Sequence, residues 1–340
     1  MPGNSMEVFD KFTRPMRDLR ISVIDVCNFR CLYCMPPDQD YEFFKNDEKL
    51  SPDEFVRLAN IFVKLGVQRI RITGGEPLLH PKLNQIISEI NEIENLVDLS
   101  ITTNASLLTE KAPLLKEAGI RRITVSLDSL DPEKFKLMNG GRGNLDDVLS
   151  GIDTAIKLGF KELKINTVIE KGINEYQILP LTRYAREKGL ILRFIEFMDV
   201  GNKNEWNMKK VLPSAEVRKI ISSEFELKAR ESNFYGEVAG RYEFADKKGE
   251  VGFISSVTEA FCSSCTRARI SSDGKLYTCL FSGRGFDLKT LLRDGSSDQS
   301  IAEKICGVWE NRSNRYSEER QEALKNPRTH DIVEMFKIGG

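Results

Sequence analysis

A repeated pattern of short apolar strands and amphipathic helices limits the fold of this 340-residue chain more than any other feature. From about residue 20 to about residue 196, a β-branched run is followed by a turn, a helix and a glycine before the next run begins. The predicted strands cover residues 21–25, 68–73, 99–103, 122–128, 163–169 and 192–197. Strands joined by helices run parallel, through right-handed crossovers. Six such units predict an α/β fold: an incomplete (β/α)6 barrel of the TIM type, with its chemistry at the carboxyl ends of the strands.

The first helix shows how local these signals are. Ser51 can cap the helix, Pro52 occupies its first position, and Glu54 completes a capping box, while Gly66 is placed to end it. Further helices are predicted over residues 83–93, 110–118, 145–158 and 176–188.

The pattern changes after about residue 210. A helix is predicted over residues 214–225, strands over 241–244 and 251–257, a hairpin at Asp273-Gly274, and a charged helix from about residue 299. We therefore expect two domains, residues 1–210 as the partial barrel and residues 211–340 as an α+β extension that closes the barrel mouth.

Charge and hydropathy exclude two classes of protein. Fifty Lys and Arg against 51 Asp and Glu give a formal charge of −1, so the chain has no overall field for nucleic acid or membrane surfaces. It also lacks the run of roughly 20 apolar residues that a transmembrane helix needs. We expect a cytoplasmic protein with no nucleic-acid or membrane partner.

Six of the seven cysteines form two tight triplets, Cys27-Cys31-Cys34 and Cys262-Cys265-Cys279. This spacing is unlike a dispersed disulfide framework and favours metal binding. Three thiolates around a four-iron cubane leave one iron open, whereas structural zinc needs a fourth ligand. For the second triplet, that ligand could be Cys306 or a histidine, His80 or His330. The residues alone leave cluster and zinc both open.

The spacing C-x3-C-x2-C after the first strand, followed by Gly74-Gly75-Glu76-Pro77 after the second, resembles the radical S-adenosylmethionine (SAM) superfamily. The resemblance implies a 4Fe–4S cluster whose open iron chelates SAM, and a 5′-deoxyadenosyl radical produced by one-electron reduction. The second triplet, C-x2-C-x13-C around Arg267-Ala268-Arg269, resembles that of GTP 3′,8-cyclases, and so does the final Gly339-Gly340. The resemblance of the second triplet implies a second 4Fe–4S cluster, whose open iron binds the purine of GTP.

Roles for individual residues follow from the same resemblance. Those implied to bind SAM are Tyr33, Gly75, Ser126 and Met198, and those implied to bind GTP are Arg20, Arg71, Thr102, Lys164, Arg267, Ala268 and Arg269. Arg71 is the most distinctive, because it lies within an apolar strand. Gly339 and Gly340 are implied to thread back to the site. No side chain is assigned as a catalytic acid or base.

The implied reaction converts GTP to (8S)-3′,8-cyclo-7,8-dihydro-GTP, the first step of molybdenum cofactor biosynthesis. It requires an external one-electron reductant, and cyclic pyranopterin phosphate synthase would receive the product. Assembly as a homodimer is left open. Two alternatives also stay open from sequence: a radical SAM maturase that modifies a peptide, and an electron-transfer or zinc-stabilised binding module.

Overall fold

The computed structural model describes residues 7–323 and 332–340, which form an α/β fold around one twelve-stranded sheet. The strands are β1 (Asp18–Ser22), β2 (Arg69–Thr73), β3 (Asp98–Thr103), β4 (Arg122–Ser126), β5 (Glu162–Ile169), β6 (Ile191–Glu196), β7 (Leu227–Arg230), β8 (Gly240–Phe244), β9 (Glu250–Ile254), β10 (Arg267–Ile270), β11 (Lys275–Tyr277) and β12 (Phe286–Asp287). The α-helices are α1 (Pro52–Lys64), α2 (Leu83–Asn91), α3 (Leu108–Glu117), α4 (Pro132–Met138), α5 (Leu145–Lys157), α6 (Ile178–Lys188), α7 (Ser214–Ser222), α8 (Lys289–Arg293), α9 (Asp298–Glu310), α10 (Tyr316–Ala323) and α11 (Met335–Ile338).

The predicted parallel sheet is confirmed. Strands β1 to β6 lie side by side in chain order, and each pairs in parallel with the next. The first strand lies earlier than predicted, at Asp18–Ser22 instead of residues 21–25. Residues 18–22 all pair with β2, whereas residues 24 and 26 instead accept hydrogen bonds from the turn that follows β2.

The sequence signals for the first helix are confirmed in detail. Ser51 Oγ accepts from the backbone N–H of Glu54 at 3.2 Å, and a Glu54 carboxylate oxygen accepts from the backbone N–H of Ser51 at 2.7 Å. Phe55 and Phe62 on the apolar face are fully buried in the core. Gly66 follows the helix with a φ of 99°, a backbone conformation that favours glycine. Local capping therefore fixes where this helix starts and stops.

The extension adds strands to both edges of the sheet, an arrangement that the sequence did not predict. Strand β10 pairs in parallel with β1, and β9 pairs in parallel with β6. The outer strands β11 and β12 at one edge, and β8 and β7 at the other, are antiparallel. The predicted hairpin joins β10 to β11, with Gly274 at a φ of 77°. Within residues 7–323 and 332–340, no helix has the length and apolar character to cross a membrane.

Candidate functional site

A cavity of about 250 Å³ lies beyond the carboxyl ends of the parallel strands. Strands β1 to β6 each contribute at least one lining side chain, because parallel strands present the same end to the same edge. Both cysteine triplets line this cavity, together with most of the residues named from the sequence: Arg20, Tyr33, Arg71, Gly75, Thr102, Ser126, Met198, Arg267, Arg269 and Gly340. The fold therefore brings together residues separated by more than 300 positions.

The first triplet lies on the loop that follows β1. The backbone N–H groups of Cys34 and Met35 both donate to the carbonyl oxygen of Cys31, at 3.0 and 2.8 Å, which closes a tight turn. The backbone N–H of Phe29 donates to Cys27 Sγ at 3.4 Å. Burial raises the pKa of Cys27 to about 12, and it also raises the pKa values of Cys31 and Cys34. Deprotonating these thiols therefore requires compensating positive charge, which a metal supplies.

Gly75 lies against the chain that leads to this triplet. Its N–H donates to the carbonyl oxygen of Ile24 at 2.7 Å, and a Cβ at this position would overlap the backbone of Val26. The φ of Gly75 is not positive, so close approach of two backbones, and not an unusual turn, requires glycine here. The Gly-Gly turn thus fixes the start of the cysteine loop.

Glu76 ties this turn to the end of β3. Its buried carboxylate accepts from Thr103 Oγ1 and from the backbone N–H groups of Leu78 and Asn104, at 2.7 to 3.0 Å. Burial raises the pKa of Glu76 to about 7. Ala105, which follows Asn104, has a φ of 63°, a backbone conformation that favours glycine. The carboxylate thus holds two of the cavity loops together.

The four residues assigned to SAM all line the cavity. Tyr33 donates its hydroxyl to Asp128 Oδ2 at 3.0 Å, and Ser256 Oγ donates to Met198 Sδ at 2.7 Å. Burial raises the pKa of Asp128 to about 7. The side chains of Tyr33 and Met198 are therefore held in place by partners on other loops.

The second triplet reaches the cavity from the extension. Cys262 begins a short 3-10 helix, Cys262–Ser264, and Cys265 directly precedes the segment that leads into β10. Arg267 donates to Cys265 Sγ from Nη2 at 3.0 Å and from Nε at 3.3 Å. Burial alone would raise the pKa of Cys265, but the charges of Arg267 and Arg312 and these hydrogen bonds lower it to about 6. This thiol is thus more readily ionised than the thiols of the first triplet and of Cys279, whose pKa values are raised.

Arginines on three adjacent strands form a row along the cavity. Arg20 on β1 is in register with Arg71 on β2 and with Arg269 on β10. Burial lowers the pKa values of all three, to about 10 for Arg71 and Arg269, and repulsion from neighbouring arginines adds to this effect. The neighbouring Ala268 points to the opposite face and is fully buried in the core, because side chains alternate along a strand. The row is therefore a strongly positive surface that favours an anion.

Lys164 lies in a second, smaller cavity of about 80 Å³, and not in the larger one. Arg20, Arg71 and Arg267 line both cavities, so the two share one wall. Lys164 Nζ pairs with Glu162 at 2.7 Å, and burial lowers the pKa of Lys164 to about 8. The smaller cavity extends the positive surface away from the cysteines.

The C-terminus reaches the larger cavity. Gly340 lines the larger cavity, and Arg269 Nη1 donates to the carbonyl oxygen of Gly339. Gly339 has a φ of 73°, and a Cβ there would overlap the side chain of Thr73. The tail is anchored by Phe336, whose ring packs edge-on against Tyr41 at 5.5 Å between centroids.

Sequence reasoning missed several residues of the two cavities. Arg193 on β6 is buried in the smaller cavity, and it shares the signal that distinguished Arg71, a basic residue in an apolar strand. Arg312 lines the larger cavity from a polar segment that carries no such signal, and Asn166 reaches it from β5.

The other candidate metal ligands lie elsewhere. All seven cysteines fall in the described ranges and are free thiols, but Cys306 is half-buried on α9 and lines neither cavity. His80 lines neither cavity, and His330 is outside the described residues. Among the residues that are described, no three His, Cys, Asp or Glu side chains converge closely enough to hold one metal ion. A four-iron cluster binds each thiolate through a different iron, so its ligands need not converge on one point.

Comparison with known protein families gives two matches to consecutive parts of the chain. Residues 21–185 match the model of the Radical SAM superfamily, and residues 190–318 match that of Molybdenum Cofactor Synthesis C. Among solved structures, Streptococcus suis SuiB bound to S-adenosylmethionine has a TM-score of 0.60 at 17% identity, over 88% of this chain and 67% of that one. That similarity supports the fold alone.

Similar full-length proteins carry one name. The GTP 3′,8-cyclase of Xanthomonas campestris pv. campestris (strain 8004) is 49% identical over 334 residues, covering 97% of each chain. That of Staphylococcus carnosus (strain TM300) is 46% identical over 338 residues, covering 98% of this chain and 99% of the relative. Both matches span nearly the full length of each protein, and the chain belongs to the GTP 3′,8-cyclase family of radical SAM proteins.

Proposed function

We propose that this chain catalyses the radical SAM-dependent cyclisation of GTP to (8S)-3′,8-cyclo-7,8-dihydro-GTP, the first step of molybdenum cofactor biosynthesis. The observation that carries the proposal is one cavity lined by both cysteine triplets and by five arginines. Full-length relatives named GTP 3′,8-cyclase at 44–49% identity support it.

The chain is a radical SAM protein and binds a 4Fe–4S cluster and SAM. Cys27, Cys31 and Cys34 would hold this cluster, and their donor chemistry fits, since three thiols share one loop and one of them accepts a backbone hydrogen bond. When bound, the cluster and SAM supply the 5′-deoxyadenosyl radical that abstracts the ribose 3′ hydrogen of GTP. Tyr33, Gly75, Ser126 and Met198 would seat SAM.

Cys262, Cys265 and Cys279 would hold a second 4Fe–4S cluster. The fit rests on three thiols at one cavity, with two N–H groups of Arg267 aimed at Cys265 Sγ. Hydrogen bonds from a cationic side chain stabilise a coordinated thiolate.

The arginine row and the smaller cavity would bind the triphosphate and ribose of GTP. The charges of Arg20, Arg71 and Arg269 repel one another in the free protein, and an anion relieves that repulsion. Thr102 Oγ1 lies 3.4 Å from Arg71 Nη1 and adds a hydroxyl to the same wall. Lys164 extends the wall toward the outer phosphates, Arg267 adds a cation beside the cysteines, and Ala268 can take part through its backbone alone.

Gly339 and Gly340 would close this site from the tail. Neither residue has a side chain, which allows the backbone to approach the cavity wall closely. The hydrogen bond from Arg269 to the carbonyl oxygen of Gly339 couples the tail to the substrate-binding row.

The finer architecture and the cellular setting complete the proposal. The six βα units would curve into an incomplete barrel over residues 1–210, with residues 211–340 as the extension at its mouth. The protein would be cytoplasmic, take electrons from an external one-electron reductant and deliver its product to cyclic pyranopterin phosphate synthase. Assembly as a homodimer is a further proposal. The seven free thiols favour a reducing compartment.

The test is anaerobic reconstitution with iron and sulfide, then incubation with SAM, dithionite and GTP, with mass detection of 5′-deoxyadenosine and the cyclised nucleotide. Both products are expected from the wild-type protein and from Cys306→Ala, the matched control, since Cys306 lines neither cavity. Cys27→Ala should form neither product, and Cys265→Ala should still form 5′-deoxyadenosine but no cyclised nucleotide. Formation of 5′-deoxyadenosine by the wild type with no GTP-derived product would contradict the assigned substrate.

A further inference from the structure

Three charged side chains are buried together behind the second cysteine triplet. Asp10, Arg14 and Arg312 have side-chain exposures of 0%, 0% and 1%. Arg14 Nε and Arg312 Nη1 both donate to Asp10 Oδ2, at 2.6 and 3.0 Å. Two guanidinium groups therefore share one carboxylate, and the group keeps a net positive charge in the interior. Burial of such charges is costly unless every strong donor finds an acceptor.

Other donors of the two arginines reach the backbone of the cysteine segments, whereas Arg14 Nη2 has no hydrogen-bond partner among the described residues. Arg14 Nη1 donates to the carbonyl oxygen of Cys262 at 2.6 Å and to that of Asn314 at 3.1 Å. Arg312 Nη1 donates to the carbonyl oxygen of Cys265 at 2.7 Å. Arg312 Nε donates to the carbonyl oxygen of Thr278, the residue before Cys279, at 3.0 Å. Each of the three cysteine-bearing segments thus receives a charge-assisted hydrogen bond from this group.

The group is itself fixed from two directions. Asp10 Oδ1 accepts from the backbone N–H groups of Phe12 and Arg14, at 2.9 and 3.0 Å, so its own loop orients the carboxylate. The indole N–H of Trp309 donates to the carbonyl oxygen of Arg14 at 3.1 Å, and the guanidinium of Arg312 lies 4.5 Å from the centre of the Trp309 ring. The arginines therefore act from rigid positions.

The two triplets differ in a way that explains the need for this group. In the first triplet, local backbone hydrogen bonds to the carbonyl oxygen of Cys31 close the turn that carries Cys34. In the second, thirteen residues separate Cys265 from Cys279, and the hairpin of β10 and β11 lies between them. Pairing of β10 with β11 brings these two segments together but ends at Tyr277, and the hydrogen bonds from Arg14 and Arg312 add long-range connections at the cysteine segments themselves.

We propose that Asp10, Arg14 and Arg312 form a clamp that positions Cys262, Cys265 and Cys279 for the second cluster, through hydrogen bonds to the backbone of the three cysteine segments. The inference rests on the proposed function, since the second cluster is part of it. The clamp residues act through the backbone of the cysteine segments and are positioning residues, although Arg312 also lines the larger cavity.

The experiment compares Arg312→Gln, Arg312→Lys and Asp10→Asn with the wild type and with Arg241→Gln. Arg241 is the matched control, because it forms a partly buried ion pair with Glu250 in the same extension and contacts no cysteine segment. After anaerobic reconstitution, iron and sulfide are counted, the clusters are distinguished by Mössbauer and electron paramagnetic resonance spectra, and thermal unfolding is followed by circular dichroism.

Wild type and Arg241→Gln should bind about eight iron atoms per chain, and the clamp variants about four. The clamp variants should keep the spectrum of the first cluster and still cleave SAM. Arg312→Lys should also lose the second cluster, because a lysine keeps the charge but cannot donate to two carbonyl groups in the fixed fork of a guanidinium. Recovery by lysine would show that charge alone matters and would overturn the clamp.

Full iron loading in a folded Arg312→Gln or Asp10→Asn variant would also overturn it. So would loss of both clusters and of cooperative unfolding in both variants, since the effect would then not be specific to the second cluster. A wild-type protein that binds only about four iron atoms would refute the two-cluster proposal itself, and the clamp with it. The iron content of the wild type alone therefore separates failure of the two-cluster proposal from failure of the clamp.

Discussion

Replacing Arg71 by methionine should stabilise the protein in the absence of GTP and weaken its binding of GTP. Burial, with the nearby charges of Arg193 and Arg122, lowers the pKa of Arg71 from 12.5 to about 10. Because a tenfold change in an equilibrium constant corresponds to about 1.4 kcal/mol, the charged form opposes folding by about 3 kcal/mol. This cost applies at every pH below about 10 and declines as the pH rises from there toward 12.5.

Methionine has a similar length and no charge, so it should recover part of this energy, about 1–3 kcal/mol. The melting temperature of the GTP-free protein should rise by several degrees. The affinity for GTP should fall by about tenfold to a hundredfold, because a charge-assisted hydrogen bond to phosphate is lost. The same substitution is thus expected to act in opposite directions on stability and on binding.

The assay is thermal unfolding of the reconstituted protein with and without GTP, combined with anaerobic titration calorimetry. Arg71→Lys retains the charge and should not stabilise the free protein. Arg230→Met is the control, since Arg230 lies on the outer strand β7 in an exposed pair with Glu243 and should change neither quantity appreciably. A lower melting temperature for Arg71→Met together with unchanged GTP affinity would refute the reasoning.

Three further outcomes are expected. The affinity of the wild type for GTP should fall as the pH rises from 7 to 9, because burial lowers the pKa of Lys164 to about 8 and only its protonated form attracts phosphate, whereas Lys164→Arg should lose much of this fall in calorimetric titrations. Gly339→Val should still form 5′-deoxyadenosine but much less cyclised nucleotide, because its side chain would overlap Thr73 and displace the tail; unchanged product yield would contradict this. Glu76→Gln should lower the free energy of unfolding by about 1–3 kcal/mol in thermal melts. Both carboxylate oxygens of Glu76 accept hydrogen bonds, one from Thr103 Oγ1 and one from the backbone N–H of Asn104, and the NH2 group of glutamine cannot accept either of them.

Much of the central sheet could be predicted from the sequence, because its signals are local. The capping box at Ser51 and the glycine at position 66 mark helix ends, and β-branched runs mark each of the six parallel strands. The predicted limits of the first strand differ from the observed ones by three residues, since the observed limits depend on pairing with neighbours on both sides. The attachment of β9 and β10 to opposite edges could not be predicted, because that pairing joins segments far apart in sequence.

In the candidate site, too, local signals could be predicted from the sequence and long-range pairing could not. Arg71 was named because a basic residue interrupts an apolar strand, and that rule would also have found Arg193. The alignment of Arg71 with Arg20 and Arg269 needs the strand register, which no local pattern carries. Arg312 acts through backbone carbonyl groups, and any residue can supply those, so its partners leave no trace in the sequence.

The placement of β9 and β10 has a consequence for how the chain matures on the ribosome. The outer edges of β1 and β6 are paired by strands that begin at residues 267 and 250, so both edges stay open while most of the chain is being made. Open edges of a sheet invite pairing with other chains, and closure over such sequence distances is slow. The interval between synthesis of the first six strands and release of the extension is therefore the period of greatest exposure to aggregation, when chaperone assistance would most improve the yield of folded protein.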